Sequence, residues 1–485
     1  MVSASAGILY NIYKTDFSQN GAAGKMVEYR HMTVNGAVNY AYDDRYVATF
    51  SFAADGSDNY RPGNRWGFYP SLGLGWIVSR ERFLRDSRMV DLLKLRASVG
   101  KNGWDPMGEM RYLWEGYYTG RGGLNTGNSE HTWHGGTALS YLPNPDVFAE
   151  KSLKYDAGID LRLWNRLSLN VDLFLEKRSG IVTQDWMIPG ASGVDNPPYR
   201  NIGRMTNKGF EVQLSWADRI GDFNYALTGM ASYNSNKVDY MAEVVTVPTA
   251  ARTGRRLDAL FGYVADGFYD WDDFDVGGEL REGLPKPTFG AVQPGDIKYK
   301  NLNGDTVIDE NDQTAIGDSY LPKLQYSFSL AASYKGFDLF ALFQGAAGRD
   351  VNLLDAPLQN VAFRDNGNVY GIAEGRWAYY PEQGIDTRAT ATYPRLSLQD
   401  NSNNYRNSTL WKRSGDFLKL RNVELGYTFA QPSLSKAGIS KIRIYLSGVN
   451  LLTVSRLMRD YDIDPEILSG HPALKSYNLG LTVTF

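Results

Sequence analysis

No cysteine occurs among the 485 residues. That excludes a disulfide scaffold, a thiolate metal site and a cysteine nucleophile. Histidine is scarce, with four copies, so imidazole ligands and general bases have few candidates. Neither sign of charge prevails: 51 Lys and Arg stand against 54 Asp and Glu, a net charge of -3. A nucleic-acid binder would carry a basic excess. No run of ~18 apolar residues is present, which excludes a membrane-spanning helix. After Met1 there is no basic segment leading into an apolar run, so no signal peptide is legible. Also missing are G-x-S-x-G, H-E-x-x-H and a P-loop, and no carboxylate pair stands out as catalytic, so no enzyme is indicated. What is plentiful is tyrosine, 32 copies, and glycine, 50 copies. Tyrosine favours strands and glycine favours turns. With 43% hydrophobic and 22% charged residues the chain is a folded one.

Strict alternation of apolar and polar residues runs through the sequence. Tyr477, Leu479, Leu481, Val483 and Phe485 lie on one face of the last segment, with Ser476, Asn478, Gly480, Thr482 and Thr484 on the other. The same period recurs around Ile159 to Leu163, Leu167 to Leu175, Val212 to Trp216, Phe223 to Leu227, Phe328 to Ala332, Val423 to Phe429 and Ile442 to Leu446. Short polar turns join neighbours: Trp164 to Arg166, Lys335–Gly336, and Asp218 to Asp222. Between the hairpins lie long irregular stretches, roughly 101–150, 178–204, 234–322 and 347–415. Long loops at one end and short turns at the other fit an outer-membrane barrel. A soluble β-sandwich or β-propeller also alternates. Two features weigh against them. The strands, about 10–13 residues, exceed the usual ~5–6 of soluble proteins. Asp, Glu, Arg and Asn recur on the polar faces, as in a wet lumen. No repeat of blade length is visible.

The residues then become specific. Ala41 to Leu84 contains Ala54–Asp55–Gly56–Ser57, a turn from Pro62 to Ser71 reading PGNRWGFYPS, and Gly75–Trp76. There follow, in order, Leu92 to Gly103, Asn144 to Asp146, Asn207 to Trp216, Gly262 to Tyr269, Pro294 to Gly317, Phe343 to Gly348, Ser414 to Phe429, Ile444 to Thr453 and the terminal GLTVTF. Together they closely resemble the SusC/RagA family of TonB-linked outer-membrane transporters of Bacteroidetes.

That resemblance implies an all-β antiparallel transmembrane barrel of about 22 strands with long extracellular loops and an internal plug. It implies import of oligosaccharides or peptides through the outer membrane, a SusD-like surface lipoprotein as lid, TonB as energy source and Phe485 as a signal for the barrel-assembly machinery. About 14 candidate strands are counted here, and family members are about twice as long. Residues 1–485 are therefore expected to be the C-terminal part of such a barrel, with signal peptide, TonB box and plug absent. A second chain could supply the missing half and plug. The rival readings are an incomplete or split barrel acting as a structural component of a surface complex, and a secreted soluble β-protein that binds glycans.

One loop has metal-ligand spacing. In Asn301 to Asp312, positions 1, 3, 5, 9 and 12 are Asn301, Asn303, Asp305, Asp309 and Asp312, with the Val307 carbonyl at position 7. Hard oxygen ligands at alternate positions suit calcium. Thr306 replaces the usual glycine, and Asp312 is shorter than the usual glutamate, so an Asx-turn without an ion is the alternative. No cofactor is required. His131 and His134 are read as an exposed loop pair, and Asn407–Ser408–Thr409 as a chance match to a glycosylation sequon. Trp104, Trp114, Tyr117, Tyr118, Trp133, Trp186, Tyr269, Trp271, Trp377, Tyr379 and Tyr380 fall in the long stretches. They could stack on substrate or serve loop packing and lid contact. Trp66, Phe68, Tyr69 and Trp76 are expected in the interfacial aromatic girdle.

Overall fold

The computed structural model describes residues 2–17, 25–105, 111–116, 118–126, 132–139, 141–192, 194, 196–245, 247–355, 361–363, 368–398, 401–429 and 438–485. Fourteen long strands form one antiparallel sheet in simple chain order. They are β1 (Val2–Phe17), β2 (Lys25–Tyr42), β3 (Tyr46–Ser57), β4 (Trp66–Ile77), β5 (Val90–Trp104), β6 (Glu150–Leu163) and β7 (Leu167–Gln184). Then come β8 (Tyr199–Ile220), β9 (Phe223–Tyr240), β10 (Leu324–Tyr334), β11 (Phe337–Ala347), β12 (Phe417–Phe429), β13 (Lys441–Ser455) and β14 (Ser476–Thr484). Strand β8 has 22 residues and β14 has nine, so the range is wider than expected. The stretch read as irregular from 178 to 204 is narrower than expected: β7 runs on to Gln184 and β8 begins at Tyr199, which leaves 185–198 between them. Among the described residues no helix is long and apolar enough to cross a membrane.

The chain packs as two units. The first holds Met1–Asn165, Asn170–Phe210 and Asn236–Val244. The second holds Arg166–Leu169, Glu211–Ser235 and Val245–Phe485.

Within the first unit, Phe50 pairs with Leu72 and Ala48 with Leu74, and Trp76 with Leu95. This face is apolar and exposed, as a wall facing hydrocarbon must be. The opposite face is charged: Arg96 Nε donates to Asp160 Oδ1 at 3.3 Å and the guanidinium also reaches Asp172. Trp66 and Phe68 stand at the end of this face nearer the long connections, and Tyr46 stacked on Trp76 at the other. Ten residues separate Trp66 from Trp76, about 33 Å of strand, or about 25 Å of bilayer when tilted. Tyr69 departs from the girdle expectation. It lies on the inward face and is buried, its ring occupying the space that side chains at Gly67 and Gly103 would fill. Tyr326 lies over Gly345 in the same way in the second unit. A tyrosine laid across a neighbouring glycine gives the richness in both residues a packing reason.

In the second unit Leu425, Leu446 and Leu479 form one outward rung across β12, β13 and β14. On the inward side Arg443 joins Asp338 and Glu424. The turn at Lys335–Gly336 has φ of 45° and 91°, the mirror-image geometry that matches strand twist. The alternation of β12 slips at Arg421, where a bulge interrupts pairing with both β11 and β13. Below it Val423, Leu425, Tyr427 and Phe429 share a face. Above it Phe417 and Lys419 turn inward and are buried.

Candidate functional site

The main apolar core of the second unit lies in the long connections between strands. Tyr263, Ile297, Tyr299, Ile308, Val351, Leu353, Tyr393, Trp411 and Leu457 are buried together. These residues come from three connections: β9 to β10, β11 to β12, and β13 to β14. Apolar strand faces cannot supply this core, because they face outward, so the loops bury one another.

A carboxylate organises it. Asp296 is fully buried. Arg395 Nε donates to its Oδ1 at 2.7 Å. The amides of Asn401 and Asn404 donate to the same oxygen, each at 2.9 Å, and Gln293 N donates to Oδ2 at 2.8 Å. Asn404 Oδ1 accepts from Ile297 N at 2.8 Å, Asn403 Nδ2 donates to Ile297 O at 2.9 Å, and Trp411 Nε1 donates to Asn404 O at 2.7 Å. Two connections are thus hydrogen-bonded as one body through residues 99 to 108 positions apart in the chain. A buried charge satisfied by a cation and three N–H donors is the arrangement in which such a group is tolerable.

A second ionic cluster ties the loops to the wall. Buried Lys419 of β12 donates to Asp464 Oδ1 and to Glu466 Oε2, both at 2.7 Å. Arg421, displaced by the bulge, reaches Glu466 as well and donates to Gln344 Oε1 at 2.9 Å. Burial opposes charge on Glu466, yet the hydrogen bonds from Arg421 and Lys419 outweigh it and hold its carboxyl below the usual range. Asp464 behaves likewise, burial being outweighed by Lys419 and backbone donors.

In the first unit Asp105 plays the comparable part. Tyr60 OH donates to its Oδ1 at 2.8 Å, Asn59 Nδ2 to Oδ1 at 3.0 Å, Ser57 Oγ to Oδ2 at 2.5 Å and Tyr29 OH to Oδ2 at 3.0 Å. Burial, then the charge of Asp105, pushes the Tyr60 hydroxyl pKa up and keeps it a donor.

In the loop Asn301 to Asp312 the predicted ligands sit in successive turns, each held by its own backbone donors. Asn301 Oδ1 accepts from Gly304 N at 2.6 Å, and Asn303 Oδ1 accepts from Asp305 N at 3.0 Å. Asp305 Oδ1 accepts from Val307 N at 2.8 Å. Asp309 and Asp312 form a reciprocal capping box around the short turn Glu310–Asp312, and Asp312 also accepts from Leu302 N at 2.7 Å. Among the described residues no three His, Asp or Glu side chains gather as a metal-holding group.

The aromatic residues divide. Trp104, Tyr118, Trp133, Trp186, Trp271 and Tyr380 are exposed, while Tyr269 and Trp377 are buried and belong to loop packing. Tyr117 lies outside the described residues, as does His131. His134 is exposed, its Nε2 at 2.8 Å from Thr126 Oγ1. Ser408 of the sequon is buried. Sequence reasoning missed Asp296, Asp105 and Lys419. Asp296 stood inside the Pro294 to Gly317 motif, and the phase slip L-K-L-R-N-V-E-L was the available signal for Lys419.

A sheet with one exposed apolar face banded by aromatics, one charged face and long loops with their own core defines an outer-membrane β-barrel protein. The family model described as TonB dependent receptor-like, beta-barrel, matches residues 4–451, and the chain belongs to that family, whose members are outer-membrane transporters and not enzymes. It is 29% identical to TonB-dependent receptor P26 of Formosa agariphila over 98% of this chain and 48% of the relative. With TonB-dependent receptor SusC of Bacteroides thetaiotaomicron it is 26% identical over 93% of this chain and 43% of the relative. The chain spans about half the length of the curated relatives it matches. In fold it is similar to a chain of the RagAB peptide transporter, with a TM-score of 0.71 and 21% identity, covering 100% of this chain and 53% of the other.

Two outcomes are expected. Asp296→Ala leaves Arg395 and two asparagine amides without their acceptor, at a cost of about 3–5 kcal/mol to the loop body. Limited proteolysis of the purified protein should cut between residues 247 and 416 in this variant, while Asp296→Asn stays closer to the parent. Equal resistance of Asp296→Ala and parent would refute the hub role. The Asp464 and Glu466 carboxyls titrate lower when folded than when unfolded. Their stabilisation is therefore present above the ordinary carboxylate range of about 4 and lost as pH falls through the lower folded values. Acid titration followed by tryptophan fluorescence should show the β13–β14 connection releasing only below about pH 4. Release near neutrality would contradict this.

Proposed function

We propose that the chain forms barrel wall and surface loops of a SusC-like TonB-dependent importer of oligosaccharides or peptides, working with a SusD-like lipoprotein. The observation that carries this reading is the match to SusC along 93% of the chain, set beside a wall whose inner face is charged and whose loops form a preorganised body. Arg96, Asp160 and Asp172 give the inward face of the first unit a wettable surface, and Arg443, Asp338 and Glu424 give one to the inward face of the second. A rigid loop body offers a surface on which a lid can seat. Energised gating falls to a plug and TonB box, supplied in line or by a second chain, and insertion falls to the barrel-assembly machinery. The oligosaccharide class is favoured by the exposed aromatics, which stack on sugar rings, and the peptide class by fold likeness to the RagAB transporter. The rival is an incomplete or split barrel that serves as a structural component of a surface complex.

Affinity purification of the tagged chain from outer membranes should recover a SusD-like lipoprotein in near-equal amount. Deleting the gene should abolish uptake of labelled oligosaccharide or labelled peptide, and which one is lost names the class. Lipoprotein recovered with both uptakes intact would favour the scaffold and sink the importer.

No cofactor is required in this reading. Calcium is proposed as an accessory ligand of the turn from Asn301 to Asp312. It would displace the Asn303 Nδ2 to Asp305 Oδ2 contact, 2.7 Å long, and draw on Asn301, the Val307 carbonyl, Asp309 and Asp312. Calorimetry should detect saturable binding at about 0.1–1 mM calcium, lost in Asp305→Ala. Absence of heat over that range would leave a self-capped turn.

A further inference from the structure

Two connections of the second unit, β11 to β12 and β13 to β14, border a cavity of about 590 Å³. Its apolar walls are Ile372, Ile463, Ile467 and Leu468, with Tyr370 beside them. Ile372, Ile463 and Leu468 also pack against the buried loop core. The walls are therefore anchored from behind, and the space between them is preformed.

The charged groups around it sort by pairing. Arg459 and Asp460 neutralise each other through two bonds, Nε to Oδ1 at 2.7 Å and Nη2 to Oδ2 at 3.2 Å. Asp464 is buried and engaged by Lys419 and by the backbone N–H groups of Glu466 and Ala473. Two lining carboxylates remain, Glu374 and Asp462. Both are exposed, and among the described residues neither side chain has an ion pair or hydrogen bond. The short turn Gly371–Gly375 holds Glu374. Asp462 closes the helix Arg456–Tyr461 with φ of 56°, a position where glycine is the usual residue. The reachable charge is thus of one sign, and it stands beside apolar walls. A metal ion would leave those walls unused, and among the described residues no three ligands gather for one. A neutral sugar would leave both carboxylates unused. A cation on an aliphatic stem uses both features: the stem lies along the isoleucine and leucine side chains while the head stays hydrated beside the carboxylates. The Tyr370 ring offers the same cation a π face.

We propose that this cavity binds a lysine or arginine side chain of a peptide, with its head on Glu374 and Asp462 and its stem along Ile463, Ile467 and Leu468. The substrate class is then basic peptides. This deepens the importer reading and rests on it for the fate of the peptide, whereas binding itself depends on the second unit alone.

The test is a titration of the full chain in nanodiscs with blocked tripeptides, acetyl-Ala-X-Ala-amide, whose only charge is on X. Peptides with X as Lys or Arg should bind about tenfold more tightly than those with Gln or Glu, and less so as salt is raised. Glu374→Gln and Asp462→Asn should each weaken the Lys peptide about threefold to fivefold. Both changes keep shape, and asparagine tolerates the left-handed backbone at 462, so loss of binding is not loss of fold. Replacing Lys by diaminopropionate, which keeps the ammonium and shortens the stem, should cost about fivefold or more. Equal binding of the Lys and Glu peptides, or parental affinity in both variants, would overturn the site. Equal binding of Lys and diaminopropionate would overturn the side-chain assignment and leave a site for a bare cation. Selective binding of the Lys peptide without its uptake by cells would uphold the site and count against the importer reading, so the two fail separately.

Discussion

A wall with hydrocarbon on one side and water on the other cannot build a core between its own faces. Every backbone N–H and C=O in the hydrocarbon must pair within the sheet, which fixes long strands in simple antiparallel order. Apolar side chains such as Leu425, Leu446 and Leu479 then belong outside. The inner face keeps Arg96, Asp160, Asp338 and Arg443. What remains to be packed in the ordinary way is the set of long connections, and the second unit's main core is found there. The exposed leucines and the buried loop residues are two consequences of one constraint.

Loops that carry a core need polar anchors, because their backbone groups lack sheet partners. Asp296 answers this with four donors drawn from its own connection and from the one that follows β11. Asp105 does the same on a smaller scale in the first unit, where Ser57, Asn59 and Tyr60 close around it. Asparagine recurs in both clusters, with Asn59, Asn401, Asn403 and Asn404 all buried. An amide offers a donor and an acceptor without the desolvation cost of a charge. The abundance of Asn and Asp in the long stretches thus reflects packing as much as turn formation.

The wall was legible from alternation because its signal is local: Tyr477 to Phe485 needs no partner to be recognised. The loop core was hidden because its signal is distant. Asp296 and Asn404 are 108 residues apart in the chain, and Tyr269 and Trp377 look in sequence like the exposed Trp271 and Tyr380. Tyr69 was assigned to the girdle by its neighbours Trp66 and Phe68, yet odd and even residues of β4 face opposite ways and Tyr69 falls on the inward side. The hairpin of Tyr118–Thr126 with Thr132–Leu139 escaped notice because glycine breaks its alternation. The calcium spacing of Asn301 to Asp312 is equally the spacing of successive Asx turns, in which each side-chain oxygen accepts from a nearby backbone N–H, so spacing alone could not separate the two.

The bulge at Arg421 shows how wall and loops are made one system. A strand of strict period 2 would send Lys419 to the same face as Val423 and Leu425, into hydrocarbon, where a charge costs about 2–4 kcal/mol at mid-depth. One extra residue reverses the phase. Phe417 and Lys419 then face inward, and Arg421 leaves the ladder to meet Glu466 beside Lys419. The connection after β13 is held by two cations of β12 acting on Asp464 and Glu466. Breaking the phase of one strand by one residue therefore places a buried ion cluster where wall and loop body meet, and any movement of that connection must first separate those charges.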